Sequence, residues 1–388
     1  MEKKIIKRTK GWSSKFYLTG KAVLGKYTYK IDEKSNNSDW VYNSLNLGVN
    51  CGEKFGVVYC EGMGGYSSNP EAENVCYAHG KDAEGRDDFT NKITVPWEER
   101  FDQTVLDEIG DNSFIEVALQ QTNKGGLIVE KFLSMYDAIA YVNDNLKDGM
   151  VINVRGDLKY SLYNGKVQVK KQIKSIKLNT YENPKFTANF TQTLLLDKDS
   201  VDLKDIDKDK GVLYVNAKVL DYLKEYNGVE VKSQYPFNKQ FEFEIDVNNE
   251  KKYKAQYEKY FKVKKDITQI TFDGNFIEGG ATVLATWEDV PDDIKELVAL
   301  EMFTEEEAIA TCSTNNGNKE RRMVLTIPTI KKDEKGIPFI QKTESQFEEE
   351  DLIFDLDISG NATEEDNEPP FDVEEKEEEL DIDLDDLL

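Results

Sequence analysis

The sequence holds a single histidine, His79, among 388 residues. A Ser-His-Asp or Cys-His mechanism would have to run through that one ring, and no nucleophile motif stands beside it. Walker loops and HExxH motifs are missing, and the many Asp and Glu form no paired motif for two-metal chemistry. Cysteine is scarce. Cys51, Cys60, Cys76 and Cys312 are too few for a disulfide scaffold in a chain this long, which points to a reducing intracellular compartment. No run of about 18 apolar residues occurs, so no membrane-spanning helix and no membrane partner is expected. The charged start, MEKKIIKRTKGWSSKF, lacks the apolar core of a secretory signal. The expectation is a cytoplasmic, non-enzymatic protein.

What is present is acid, unevenly spread. The formal net charge is −25, but residues 344–388 hold 21 Asp or Glu against the one lysine Lys376. Residues 1–343 then hold 54 acids against 49 Lys and Arg, a net of only −5. Self-repulsion predicts a disordered tail over 344–388. Apolar residues recur inside it, around Phe354, at Pro369-Pro370-Phe371, and at Leu384, Leu387 and Leu388, as in a peptide that folds on a partner. Phe354, Phe371, Leu384, Leu387 and Leu388 are the candidate docking residues.

The body reads as mainly β with some helix. In Trp40–Asn50 the odd positions Val41, Leu45, Leu47 and Val49 are apolar, which sends Trp40 and Tyr42 to the opposite face. Cys51-Gly52-Glu53-Lys54 reads as a hairpin turn. Leu127–Phe132 is strand-like, Ser134 caps a helix that Gly149 stops, and Met150–Tyr160 and Val167–Leu178 flank an Asn164-Gly165 turn. Strand, helix, strand, hairpin, strand is the ending of an OB-fold barrel. The expected organisation is an OB-fold domain over 1–180 with an insertion at about 61–112, a second β-rich and OB-like domain over 181–343, and the tail over 344–388.

Basic stretches carry aromatics. Residues 147–177 hold eight Lys or Arg against Asp148 and Asp157, and residues 1–30 hold nine against Glu2. Cations neutralise phosphates and aromatic rings stack on unpaired bases. On β periodicity Lys170 and Lys174 share a face, and so do Asn153, Arg155 and Lys159. Tyr17, Lys26, Trp40, Tyr42, Asn153, Arg155, Lys159, Tyr160, Lys166, Lys170 and Lys174 are the candidate nucleic-acid residues, with Tyr160 on the parity of inward Leu158. Residues 251–265, with seven lysines, read instead as a surface helix packing Tyr257 and Phe261 inward. Cys51, Cys60, Cys76 and His79 could supply zinc ligands, Cys76-Tyr77-Ala78-His79 having a chelating spacing. A hairpin turning at 52–54 sets Cys51 and Cys60 more than about 10 Å apart, however, so no cofactor is expected.

With these features the chain resembles the bacteriophage single-stranded DNA-binding proteins, in its OB-like strands Gly149–Leu178 and its acidic tail. Glu365-Asp366-Asn367-Glu368-Pro369-Pro370-Phe371 is similar to the acidic Pro-Phe ending of bacterial single-strand binders, although here it is internal. The resemblance implies sequence-tolerant binding of single-stranded DNA in phage replication or recombination, in the bacterial host cytoplasm, with partner enzymes recruited through the tail. The alternatives are an interaction scaffold, viral or replisomal, whose acidic tail mimics DNA, and a metal-dependent nuclease.

Overall fold

Apolar alternation sets the first strand pairs. In the computed structural model β1 (Ser14–Val23), β2 (Tyr29–Lys34), β3 (Trp40–Asn50) and β4 (Val57–Ser67) come first. β3 and β4 run antiparallel with Leu45 opposite Gly62, Leu47 opposite Cys60 and Val49 opposite Val58, and the apolar members of these pairs are buried. The structure describes residues 5–278 except Lys10, 321–354 except Glu334 and Ser345, and between them Trp287, 290–300, Thr304, Glu305 and Ala308.

The hairpin β5 (Val75–Lys81) and β6 (Asp87–Pro96) follows, then α1 (Gln103–Glu108), a hairpin of β7 (Ile115–Gln121) and β8 (Leu127–Phe132), and α2 (Met135–Asn145). Ser134 caps α2 by accepting the Tyr136 N–H at 3.1 Å, and Gly149 ends the turn beyond it at φ +76°. β9 (Val151–Tyr163) and β10 (Lys166–Leu178) then close a ring. β1 pairs with β3, β3 with β4, β4 in parallel with β10, β10 with β9, and β9 with β1. This is a closed five-stranded barrel of OB-like order, with α2 between its third and fourth ring strands.

The pattern recurs in the second half. β11 (Thr187–Leu196), β12 (Val212–Tyr226), β13 (Val229–Glu244), α3 (Glu250–Gln256) and β14 (Thr268–Glu278) lead through α4 (Asp292–Ala299) to β15 (Arg321–Pro328). The ring closes as β11–β12–β13–β15–β14–β11, with β13–β15 parallel. Asn227-Gly228 joins β12 to β13 with φ +48° and +76°, the same left-handed pair that Asn164-Gly165 supplies between β9 and β10 at +47° and +73°. Phe261, at the end of the helical segment after β13, stacks on Phe272 at 5.4 Å. Short strands β16 (Ile330–Lys332), β17 (Pro338–Ile340) and β18 (Lys342–Glu344) follow, β18 pairing with β14.

The two rings share a wall. β1 pairs antiparallel with β11, with Phe16 opposite Phe190 and both buried, so one hydrophobic core runs through both barrels. Each fully buried Phe or Leu in it contributes about 1.5–3 kcal/mol.

Two expectations are revised. Residues 61–67 belong to β4 rather than to an insertion, which starts after Ser67 and runs through β8. Gly62 and Gly64 stand where α2 crosses β4: a Cβ on Gly62 would lie 2.8 Å from Met135 Sδ, and one on Gly64 2.5 Å from the Tyr136 backbone N. The acidic segment also remains part of the body beyond residue 344. Phe347 and Leu352 are buried with Ile6, Leu195, Leu220 and Ile267, and Phe354 packs its ring 5.2 Å from that of Tyr235. Phe354 is thus a folding contact rather than a free docking residue, since its apolar ring finds a partner within the chain. Phe371, Leu384, Leu387 and Leu388 lie outside the described residues.

Candidate nucleic-acid interface

The strongest grouping of the expected residues sits on the outer face of β1 and β9. Tyr17 lies opposite Arg155 in the ladder, and the guanidinium carbon is 5.7 Å from the Tyr17 ring centroid. The Tyr17 hydroxyl donates to Asn153 Oδ1 at 3.4 Å. Asn153 Oδ1 also accepts from Thr19 at 2.9 Å and Asn179 at 3.1 Å, which fixes the amide. Tyr17 is 37% exposed, and Arg155, Lys15 and Lys21 are exposed beside it. An exposed ring, a cation and a positioned amide can together hold a base and its phosphate.

The other expected residues are placed elsewhere. Trp40 is 39% exposed and Tyr42 half-buried on the outer face of β3. β1 meets β3 only at the far end, where Val23 faces Gly48, so Trp40 lies eight residues, or about 26 Å of strand, from that junction. Lys26 sits in the loop after β1, its ammonium 5.5 Å from the Tyr27 ring centroid, and Lys166 begins β10 at the exposed hairpin turn. Tyr160 corrects the expectation of a stacking ring. It is 3% exposed, its hydroxyl bonds Gln192 Oε1 at 3.1 Å, and burial pushes its phenol well above the usual range. Its parity with Leu158 sends it into the core.

The expected basic face of β9 and β10 meets acids from neighbouring strands. Lys170 is 3.3 Å from Glu61, Lys174 3.5 Å from Asp157, and Lys159 3.9 Å from Asp221. Exposed pairs of this kind are worth about 0–1 kcal/mol, so a phosphate can displace the carboxylate at little cost. Asp221 is different. It is buried, held by Arg8 at 2.8 Å and by the Tyr160 N–H at 2.8 Å, and ties the N-terminal segment to both barrels. Lys171, between Lys170 and Gln172, points inward and forms a buried ion pair with Glu278.

The four candidate zinc ligands are divided between two regions. Cys51 and Cys60 lie inside the first barrel, where burial pushes the Cys51 thiol up to about 12. Cys76 belongs to a small separate cluster with Val95, Ile109 and Phe114. His79 lies on β5 and has both ring nitrogens engaged: Nδ1 with Ser113 Oγ at 2.8 Å, Nε2 with Asp87 Oδ1 at 2.7 Å. Asp87 also accepts the Asn112 N–H at 2.9 Å, and Ser113 Oγ the His79 backbone N–H at 3.0 Å. This network pins the β5–β6 hairpin to residues 111–113. Sequence spacing gives no sign of it, because Ser113 is 34 residues from His79. Within the insertion, residues 68–114 are acidic, with twelve Asp or Glu against four Lys or Arg.

The fold and this face define a protein of linked OB-like barrels. The model of the YorF family matches residues 82–275, half of the chain, and the chain belongs to that family. No curated protein matches the sequence. Two solved structures of the single-stranded DNA binding protein from Thermus aquaticus, a deletion mutant and the wild type, align at 12% and 11% identity with TM-scores of 0.30. The alignments cover 68% of this chain and 86% and 85% of those chains. A superposition this loose decides neither fold nor ligand. No helix among the described residues is long and apolar enough to cross a membrane.

Proposed function

We propose that this protein binds single-stranded DNA with little sequence preference, does no covalent chemistry itself, and serves DNA replication or recombination, its acidic C-terminal segment recruiting partner proteins. The observation that carries this reading is the Tyr17–Arg155–Asn153 group on the outer face of a closed OB-like barrel. A ring open to stacking lies beside a guanidinium and an amide, and stacking contributes about 1–3 kcal/mol per base whatever the base. The phage setting and the bacterial cytoplasm belong to the same proposal and rest on the resemblance of the strands and tail. A competition experiment tests the preference for unpaired bases. A labelled oligo-dT bound to the protein should be displaced by unlabelled single strand at concentrations at least tenfold below those needed with duplex of equal length. Equal displacement by both overturns it.

A second reading is favoured by the ion pairs of Lys159, Lys170 and Lys174, together with the acidic insertion. In this reading the protein is an interaction scaffold whose acids mimic DNA and take a basic partner. It predicts no displacement curve, because no oligonucleotide binds.

A further inference from the structure

The wall shared by the two barrels carries a row of side chains that continues past Tyr17. In the β1–β11 ladder Tyr17 faces Asn189, and in the β11–β14 ladder Asn189 faces Asn275. With Arg155 opposite Tyr17 on β9, the order across four adjacent strands is Arg155, Tyr17, Asn189, Asn275. Three inter-strand steps of about 4.8 Å make this row about 14 Å wide. It begins on the first barrel and ends on the second.

The hydrogen bonding gives the row a direction. Asn275 Nδ2 donates to Asn189 Oδ1 at 2.8 Å, and Asn153 Oδ1 takes the bonds described above. Both carbonyl oxygens are occupied, so the NH2 groups of Asn153 and exposed Asn189 are left as donors, the polarity that suits phosphate oxygens. No acid stands in the row. The next row holds Asp157 and Asp273, but Asp157 is 3.5 Å from Lys174, and Asp273 accepts the Thr191 and Thr329 hydroxyls at 2.7 and 2.9 Å. On the outward face of β1, Lys15 and Lys21 flank Tyr17.

We infer that this row is the crossing by which one single strand passes from the first barrel to the second, with Asn189 holding its backbone at the junction and Asn275 fixing the Asn189 amide. The inference rests on the proposed single-strand binding and adds a path to it. The two barrels then act on one continuous strand rather than as separate sites. At about 4–16 nucleotides per barrel, an oligo-dT of roughly 30 nucleotides engages both.

The test is a pair of opposite charge changes at one exposed position, Asn189→Asp and Asn189→Lys, in the full chain, with anisotropy titrations of labelled oligo-dT about 30 nucleotides long across a salt series. Asn189→Asp is expected to weaken binding about tenfold. Asn189→Lys is expected to tighten it and to steepen the fall of log K with log salt by about 0.7, the increment for one added phosphate contact on a single strand. Damage to folding cannot produce opposite signs, and thermal melts of both variants check it. If both variants bind as the unaltered chain does while Arg155→Ala weakens binding, the crossing is wrong and the binding face stands. If the unaltered chain binds no oligo-dT, the proposed function itself fails.

Discussion

Lys171 on β10 and Glu278 on β14 form a buried ion pair between the two barrels, each side chain 9% exposed. The Lys171 ammonium also lies 4.7 Å from the Phe276 ring centroid, and the Glu278 backbone N–H donates to the Phe55 carbonyl at 2.9 Å. The barrels are therefore joined by this ion pair and the backbone bond beside it, as well as by the β1–β11 ladder. Removing one partner strands a buried charge, so Lys171→Met or Glu278→Leu should cost about 3–5 kcal/mol, whereas the double change should recover most of that loss. A double-mutant cycle by urea unfolding measures it. Additive losses would show that the pair is not coupled.

Gly64 tests the crossing of α2 over β4. Its neighbour is backbone, which cannot rotate away, so Gly64→Ala should destabilise by about 1–3 kcal/mol. Gly25 has no positive φ, and a methyl group there would meet nothing within 4 Å, so it should accept alanine within about 0.5 kcal/mol. Thermal melts of the two variants decide, and equal shifts would contradict the packing described.

Tyr160 and Tyr17 separate core from surface. Tyr160→Phe should lose about 1 kcal/mol of stability with its Gln192 bond and leave oligonucleotide affinity unchanged. Tyr17→Ala should leave the melt within about 0.5 kcal/mol and weaken binding by about 1–3 kcal/mol. The reverse pattern would put the stacking ring on the wrong face.

These residues also show what the sequence could reveal. The alternation in Trp40–Asn50 and the Asn164-Gly165 turn are local signals, and both strands and turn formed where the pattern put them. Asn227-Gly228 is the same signal and marks the β12–β13 hairpin, which sequence reasoning passed over. Lys170 and Lys171 look alike in the sequence, yet one meets Glu61 outside and the other Glu278 inside. Their partners come from strands far off in the chain, 107 residues away for Glu278, and no periodicity within β10 carries that information. The His79–Ser113 bond is hidden for the same reason.

Asp87 gives the insertion a pH dependence. Its carboxyl is held below the ordinary carboxylate range chiefly by the Asn112 N–H, with further lowering from His79 and the Asn112 side chain. A depressed folded-state value means the stabilisation is complete above the unfolded value of about 3.9 and is lost as pH falls through the folded one. The Gly110 N–H, bonded to the His79 carbonyl at 2.8 Å, should lose hydrogen-exchange protection over that acid window. Asp87→Asn should weaken the protection already at neutral pH and flatten its acid dependence. Unchanged protection in both would remove Asp87 from the role of anchor.

On the proposed function, the body freed of residues 355–388 binds single strands through the wall that carries Lys15, Tyr17, Lys21 and Arg155. Up to Phe354 it holds 59 acids against 49 Lys and Arg, a net of −10 against −25 for the full chain. Because Leu352 and Phe354 are packed into that body, the informative truncation ends after Phe354 rather than at Ile340. The deciding measurement is an anisotropy titration of labelled oligo-dT with the chain ending there, repeated across a salt series. Binding at least as tight as that of the full chain is expected, with log K falling linearly in log salt by about 0.7 for each phosphate held. Absence of binding at low salt, or binding indifferent to salt, would contradict it.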